Sequence, residues 1–162
     1  MLTQQELAAT SSLPGVAGDG WEQIRVVVAD NHAAMRRSLR LLLEGEADLQ
    51  VIAEAGDIAT VMCQLLHYRP RVLVLDLGMH SGSSSVAIRD LRQQVPGSEI
   101  VVLTMEESPA FARRALAAGA LGFVLKDRAE PELAYAVRDV DHGREYVSSD
   151  VRAGLASLRR GR

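Results

Sequence analysis

Four short apolar runs in this 162-residue chain each finish on a residue that can do chemistry. Arg71-Val72-Leu73-Val74-Leu75 ends on Asp76, and the loop Leu77-Gly78-Met79-His80-Ser81-Gly82 follows at once. Ile24-Arg25-Val26-Val27-Val28-Ala29 ends on Asp30-Asn31. Ile100-Val101-Val102-Leu103 ends on Thr104, and Leu121-Gly122-Phe123-Val124-Leu125 ends on Lys126. Two acidic strand ends suit a hard divalent cation such as Mg²⁺, which prefers oxygen ligands. A hydroxyl and an ammonium set against a carboxylate suit an anion placed on that carboxylate. Taken singly, each residue has a plainer role: a loop cap, a strand-end threonine, a solvated lysine. All four strand ends carry such groups together, and that conjunction points to a shared site.

The elements that must position these residues alternate along the chain. Buried parallel strands read as near-continuous hydrophobic runs. Strands are expected at 24–29, 49–54, 71–75, 99–103 and 121–125, with helices at 33–44, 58–68, 84–95, 108–118 and 130–141. The first helix carries Met35, Leu39, Leu42 and Leu43 at helical spacing, and the second Val61, Met62, Leu65 and Leu66. Asp57 is a candidate N-cap, and Pro70 stops the second helix. Ser108-Pro109 opens the fourth helix in the favoured cap-then-proline order, and Gly119 closes it. Strands alternating with helices of this length imply a parallel sheet with helices on both faces. In such sheets ligands gather outside the carboxyl ends of the strands.

Hydrophobic residues make up 48% of the chain but aromatics only 4%, so the core must be aliphatic. A net charge of −3 gives no global pull towards nucleic acid or membranes. The single cysteine, Cys63, cannot form an internal disulfide and reads as a buried structural thiol in a reducing cytosol. No apolar stretch approaches the roughly 20 residues of a membrane span, and the N-terminus lacks a signal-peptide pattern. A soluble, cytoplasmic protein is expected. Residues 1–20, rich in Ala, Ser, Thr and Gly, read as a disordered extension, with one helical turn near Gln4–Ala9. Residues 21–149 read as one domain, and 150–162, with Arg152, Arg159, Arg160 and Arg162, as a stub or linker rather than a nucleic-acid arm.

From Ile24 to Ser149 the chain resembles the response-regulator receiver domains of two-component signalling, within them the LuxR-type (NarL/FixJ) subgroup. The carrying segments are Val26-Val27-Val28-Ala29-Asp30-Asn31-His32, Val74-Leu75-Asp76-Leu77-Gly78-Met79, Ile100-Val101-Val102-Leu103-Thr104, and Ala118-Gly119-Ala120-Leu121-Gly122-Phe123-Val124-Leu125-Lys126-Asp127. The resemblance implies a flavodoxin-like, CheY-like α/β fold with five parallel strands in order 2-1-3-4-5. It implies that Asp76 accepts a phosphoryl group from a histidine kinase or phosphotransfer protein, so that the only enzymatic chemistry is self-phosphorylation and autodephosphorylation. Mg²⁺ would be held by Asp30, Asn31, Asp76 and the Gly78 carbonyl. Lys126 and Thr104 would meet the phosphoryl oxygens, and Thr104 with Phe123, turning inward, would form the switch. A homodimer is a further expectation, along with remodelling of helix 4, strand 5 and helix 5. Related regulators continue into a DNA-binding helix-turn-helix, for which this chain has no room. Contact with nucleic acid is therefore expected only through a domain absent here.

Three positions depart from the family pattern. Asn31 stands where a second acid is usual, His80 where proline is usual, and Met105 where a small residue follows the switch threonine. They support an alternative: a degenerate receiver that works as a phosphorylation-independent interaction module. An aspartyl phosphatase of the haloacid-dehalogenase type would need an acid two residues after the nucleophile, and that residue is Gly78. A flavodoxin-type flavin site would need a phosphate-cradling loop after strand 1, which the sequence lacks.

Overall fold

The computed structural model describes residues 22–161. The expected extension over 1–20, including its helical turn, lies outside the described residues. The chain alternates β1 (Ile24–Ala29), α1 (Ala33–Glu44), β2 (Leu49–Ala55), α2 (Ile58–Tyr68), β3 (Val72–Asp76), α3 (Ser84–Gln94), β4 (Glu99–Thr104), α4 (Pro109–Ala118), β5 (Gly122–Leu125) and α5 (Ala129–Asp141). Two further elements follow, β6 (Tyr146–Val147) and α6 (Ser149–Arg160). Short 3-10 turns, Leu77–Met79 and Lys126–Arg128, continue directly from β3 and β5.

All strand pairings are parallel, in the order β2-β1-β3-β4-β5-β6. The expected order 2-1-3-4-5 is present, and the expected count of five is corrected to six. Tyr146–Val147 is too short to give a periodic signal. Pairing to the β5 edge makes it a strand: Tyr146 N–H donates to the Leu121 carbonyl at 3.1 Å, and Ser148 N–H to the Phe123 carbonyl at 2.8 Å.

Alternate strand residues feed two apolar layers, as the pleat dictates. On one face Val26, Val28, Val72, Val74, Val101, Leu103 and Val124 pack against α1 and α5. On the other, Val27, Leu73, Leu75, Ile100, Val102 and Phe123 pack against α2, α3, α4 and α6. Burial on both faces explains why the strands read as unbroken apolar runs. The helix punctuation is as expected at three points. The Asp57 carboxylate accepts from Thr60 N–H at 2.8 Å, the Ser108 hydroxyl from Phe111 N–H at 3.4 Å, and Gly119 closes α4 at φ 121°.

One expectation about burial fails. Cys63 is exposed, because Val61 and Leu65 point at the sheet and position 63 falls on the opposite side of α2. In α5, Leu133, Ala136, Val137 and Val140 are buried, Ala134 is half-buried and Tyr135 stands exposed. Residues 149–160, read from sequence as lying beyond the domain, form a helix whose Val151 and Leu155 are buried. Among the described residues, no helix is long and apolar enough to cross a membrane.

Candidate functional site

Parallel strands all end on one side of the sheet, so the termini of β1, β3, β4 and β5 deliver Asp30, Asp76, Thr104 and Lys126 to a common edge. Asp30 and Asp76 are almost wholly buried, at 0% and 2% exposure, and Thr104 is buried beside them. Two carboxylates without water cost heavily unless a cation or hydrogen bonds meet them. Lys126 supplies the cation. Its Nζ lies 3.2 Å from Asp30 Oδ2 and 3.1 Å from Asp76 Oδ1. Burial alone would lower the Lys126 pKa, but hydrogen bonds and charge from Asp76 and Asp30 outweigh it and hold the ammonium above its ordinary value.

The remaining carboxylate oxygens divide unequally. Asp30 Oδ1 accepts from His32 N–H at 2.8 Å, and the Asp30 carbonyl accepts from the Arg36 guanidinium at 2.8 Å. Asp76 Oδ1 also accepts from Gly78 N–H at 2.9 Å. A Cβ at Gly78 would stand 3.2 Å from that oxygen, so glycine keeps the turn off the carboxylate. Asp76 Oδ2 is buried and has no hydrogen-bond partner. A buried lone oxygen of this kind is costly to leave unmatched, and it marks the place where a ligand gains most. It belongs to a shallow pocket of about 360 Å³ lined by Asp76, Gly78, Thr104, Met105, Glu106 and Lys126.

Thr104 Oγ1 accepts from Glu106 N–H at 3.1 Å, which leaves its hydroxyl proton free to donate. Met105 is 69% exposed, so it stands out into solvent at the pocket mouth. Phe123 is already fully buried, edge-on to Phe111 with ring centroids 6.1 Å apart. The expected inward turn of Phe123 therefore starts from a ring that is already inside.

Two histidines near the strand ends, His32 and His80, could by type hold a metal. The ligand atoms of Asp30, His32 and Asp76 lie within 4.8 Å of one another, close enough to share a metal ion. Asn31 is exposed at the same strand end. His80 is half-buried after the Leu77–Met79 turn and is not part of the metal-competent group found among the described residues. Two carboxylates, one with an unmatched oxygen, suit a hard cation.

Residues 26–138 match the response regulator receiver domain family. The chain is 36% identical over 138 residues to the DNA-binding transcriptional activator DevR/DosR of Mycobacterium tuberculosis, covering 85% of this chain and 64% of that protein. It is 33% identical over 135 residues to the oxygen regulatory protein NreC of Staphylococcus epidermidis, covering 83% of this chain and 62% of that one. The chain thus spans somewhat under two thirds of the length of these relatives. Among solved structures, it superimposes on a two-component response regulator of the LuxR family from Aurantimonas sp. SI85-9A1. The TM-score is 0.79 at 31% identity, over 85% of this chain and 98% of that one.

Proposed function

This chain belongs to the response regulator receiver domain family, and from that premise we propose that it accepts a phosphoryl group on Asp76 from the phosphohistidine of a histidine kinase or phosphotransfer protein. The observation that carries the reading is the unmatched, buried Asp76 Oδ2 opposite the Lys126 ammonium and the Thr104 hydroxyl. Attack by a carboxylate oxygen forms the P–O bond of an acyl phosphate as the donor's P–N bond breaks. The electron pair of that bond returns to the donor imidazole. Such transfers depend on positioning and on charge stabilisation more than on covalent help from the protein.

Each residue then has a separate task. Gly78 N–H and Lys126 fix Asp76 through Oδ1 and leave Oδ2 for the phosphorus. Lys126, a compact point charge, neutralises one transferring oxygen. Thr104 donates its free hydroxyl proton to another. Mg²⁺ fits the site, where Asp30 and Asp76 would hold it with the Asn31 side-chain oxygen and the Gly78 carbonyl; when bound it supplies charge neutralisation for the transferred group. The similarity to a transcriptional activator supports an output in transcription regulation, exerted through protein contacts of this domain.

Incubation of the purified chain with Mg²⁺ and acetyl phosphate, or with a phosphorylated kinase, should add one acid-labile and hydroxylamine-labile phosphoryl group by intact mass. Asp76→Ala should abolish it. No adduct from any donor would instead favour the degenerate, phosphorylation-independent interaction module. The loss of a charged ligand at Asn31 favours that second reading.

A further inference from the structure

Helix α6 is attached to the site from two directions. The first route runs along the β4–α4 connection. Thr104 Oγ1 accepts from Glu106 N–H, the Glu106 carboxylate accepts from Ser108 N–H at 3.1 Å, and Ser108 caps α4 through Phe111 N–H. The next residue, Pro109, lies directly against Gly154 in the middle of α6. A Cβ at Gly154 would stand only 2.5 Å from Pro109 Cγ, so the two helices touch where neither has side chain to spare. Below that contact, Val151 and Leu155 share one apolar cluster with Ala112, Ala115 and Phe123.

The second route starts at Lys126. The Ser148 hydroxyl accepts from Leu125 N–H at 2.9 Å and is itself bonded to the buried Glu132 carboxylate. Arg128, two residues after Lys126, grips Asp150 with two donors at 2.8 and 3.2 Å. The N-terminus of α6 is thus pinned by several polar bonds to the end of β5. Its body meets α4 by apolar contact, with small residues on the α4 side and at Gly154, and its far end keeps only the solvent-exposed Arg159–Glu145 pair.

We propose that α6 is a strap hinged at Ser148, and that occupancy of Asp76 loosens its body from α4. The proposal rests on Asp76 being the phosphoacceptor. The direction follows from Thr104. When its hydroxyl turns to an anion on Asp76, Oγ1 no longer receives Glu106 N–H. The Glu106–Ser108 turn then loses its anchor, and Pro109 shifts under Gly154. Close-packed contacts without spare volume respond to small shifts by separating rather than by stretching. The pinned N-terminus holds, so α6 swings about Ser148 and uncovers Ala112, Ala115 and Leu155.

The test uses the intact chain with beryllofluoride as the phosphoryl mimic. Fluorine NMR reads occupancy, and amide hydrogen exchange reads α6. On saturation, the amides from Leu155 to Arg160 should exchange about tenfold faster, a coupling of ordinary size, while those of α1 and α5 stay unchanged. Gly154→Ala should give the same acceleration without the mimic. By reciprocity it should also tighten mimic binding about tenfold. Thr104→Ala should bind the mimic with no response in α6. Bound mimic with unchanged α6 exchange in the parent chain overturns the strap and leaves the phosphoacceptor reading intact. Gly154→Ala that frees α6 without altering mimic affinity overturns it as well. Absence of any bound mimic in both proteins overturns both readings.

Discussion

The two helical layers of this domain are built differently. The α1–α5 layer packs branched and long aliphatic side chains: Leu39, Leu43, Leu133, Val137 and Val140 are at most 2% exposed. It is tied at its rim by Arg138, which bonds both Asp48 and Glu46. In the α4–α6 pair Ala112, Ala115 and Pro109 of α4 meet Gly154, Val151 and Leu155 of α6, and the polar ties of α6 are concentrated at its N-terminus, with one exposed pair, Arg159–Glu145, at its far end. Both layers cover the same sheet, yet only the second connects by hydrogen bonds to Thr104. Large interlocked side chains make a layer costly to move, whereas small residues let helices approach closely and part with little loss of area. The site therefore faces one rigid wall and one adjustable wall.

Truncations should expose that difference. Leu133→Ala in the rigid layer should cost about 4 kcal/mol in denaturant unfolding, near the upper part of the range for buried leucines that cannot be backfilled. Leu155→Ala, under a helix free to settle, should cost about 2 kcal/mol. Equal losses would erase the distinction between the layers.

Between these in size comes the charge cluster itself. Lys126→Met leaves Asp30 and Asp76 buried without their cation, and should destabilise the chain by about 3 kcal/mol at neutral pH. The Lys126 pKa is raised in the folded state. Its contribution is therefore complete below the titration range of an unfolded lysine and is lost only as pH climbs through the folded value. A thermal melt series in the parent chain should accordingly show no Lys126-dependent loss from pH 6 to about 9, within the range where lysine stays charged. A loss within that window, absent from Lys126→Met, would contradict the pairing.

Smaller effects sharpen the account of the site and the rim. Asn31→Asp should tighten Mg²⁺ by at least about 1 kcal/mol, roughly fivefold, in calorimetric titration, the scale of one added charge about 4 Å away in water. Unchanged affinity would show that this position does not face the ion. Arg138→Ala should cost no more than about 1 kcal/mol, because its partners are only part-buried and water screens the pairs. Hydrogen bonds and charge from Asp48 and Glu46 hold its pKa above the ordinary arginine value, so that loss should not vary with pH between 6 and 9.

Much of this was legible in the sequence, for physical reasons that also mark the limits. Five strands and five helices could be read because burial on both faces writes continuous apolar runs, and because Asp57, Ser108 and Gly119 punctuate helix ends by local chemistry. The site residues could be read because each closes such a run. Tyr146–Val147 could not: two residues carry no period, and only the neighbouring β5 edge makes them a strand. α6 was obscured by its three arginines at 152, 159 and 160, although Val151, Leu155 and Leu158 lie on one stripe. That His32 rather than His80 joins the acidic pair was not legible, because it depends on where the ring sits relative to Asp76, far away in the sequence. The burial of Cys63 was misjudged because the sequence shows how wide an apolar stripe is, but not how much of it the sheet covers.

The central claim is that events at Asp76 are transmitted into the α4–α6 wall and not into the α1–α5 wall. The most direct measurement is a map of backbone amide chemical shifts across the intact chain, with and without beryllofluoride at saturation. The account predicts the largest changes at Thr104–Pro109 and along α6, with α1 and the body of α5 close to their starting values. Bound mimic with its largest changes on α1 and α5, or with none beyond the immediate neighbours of Asp76, would contradict it.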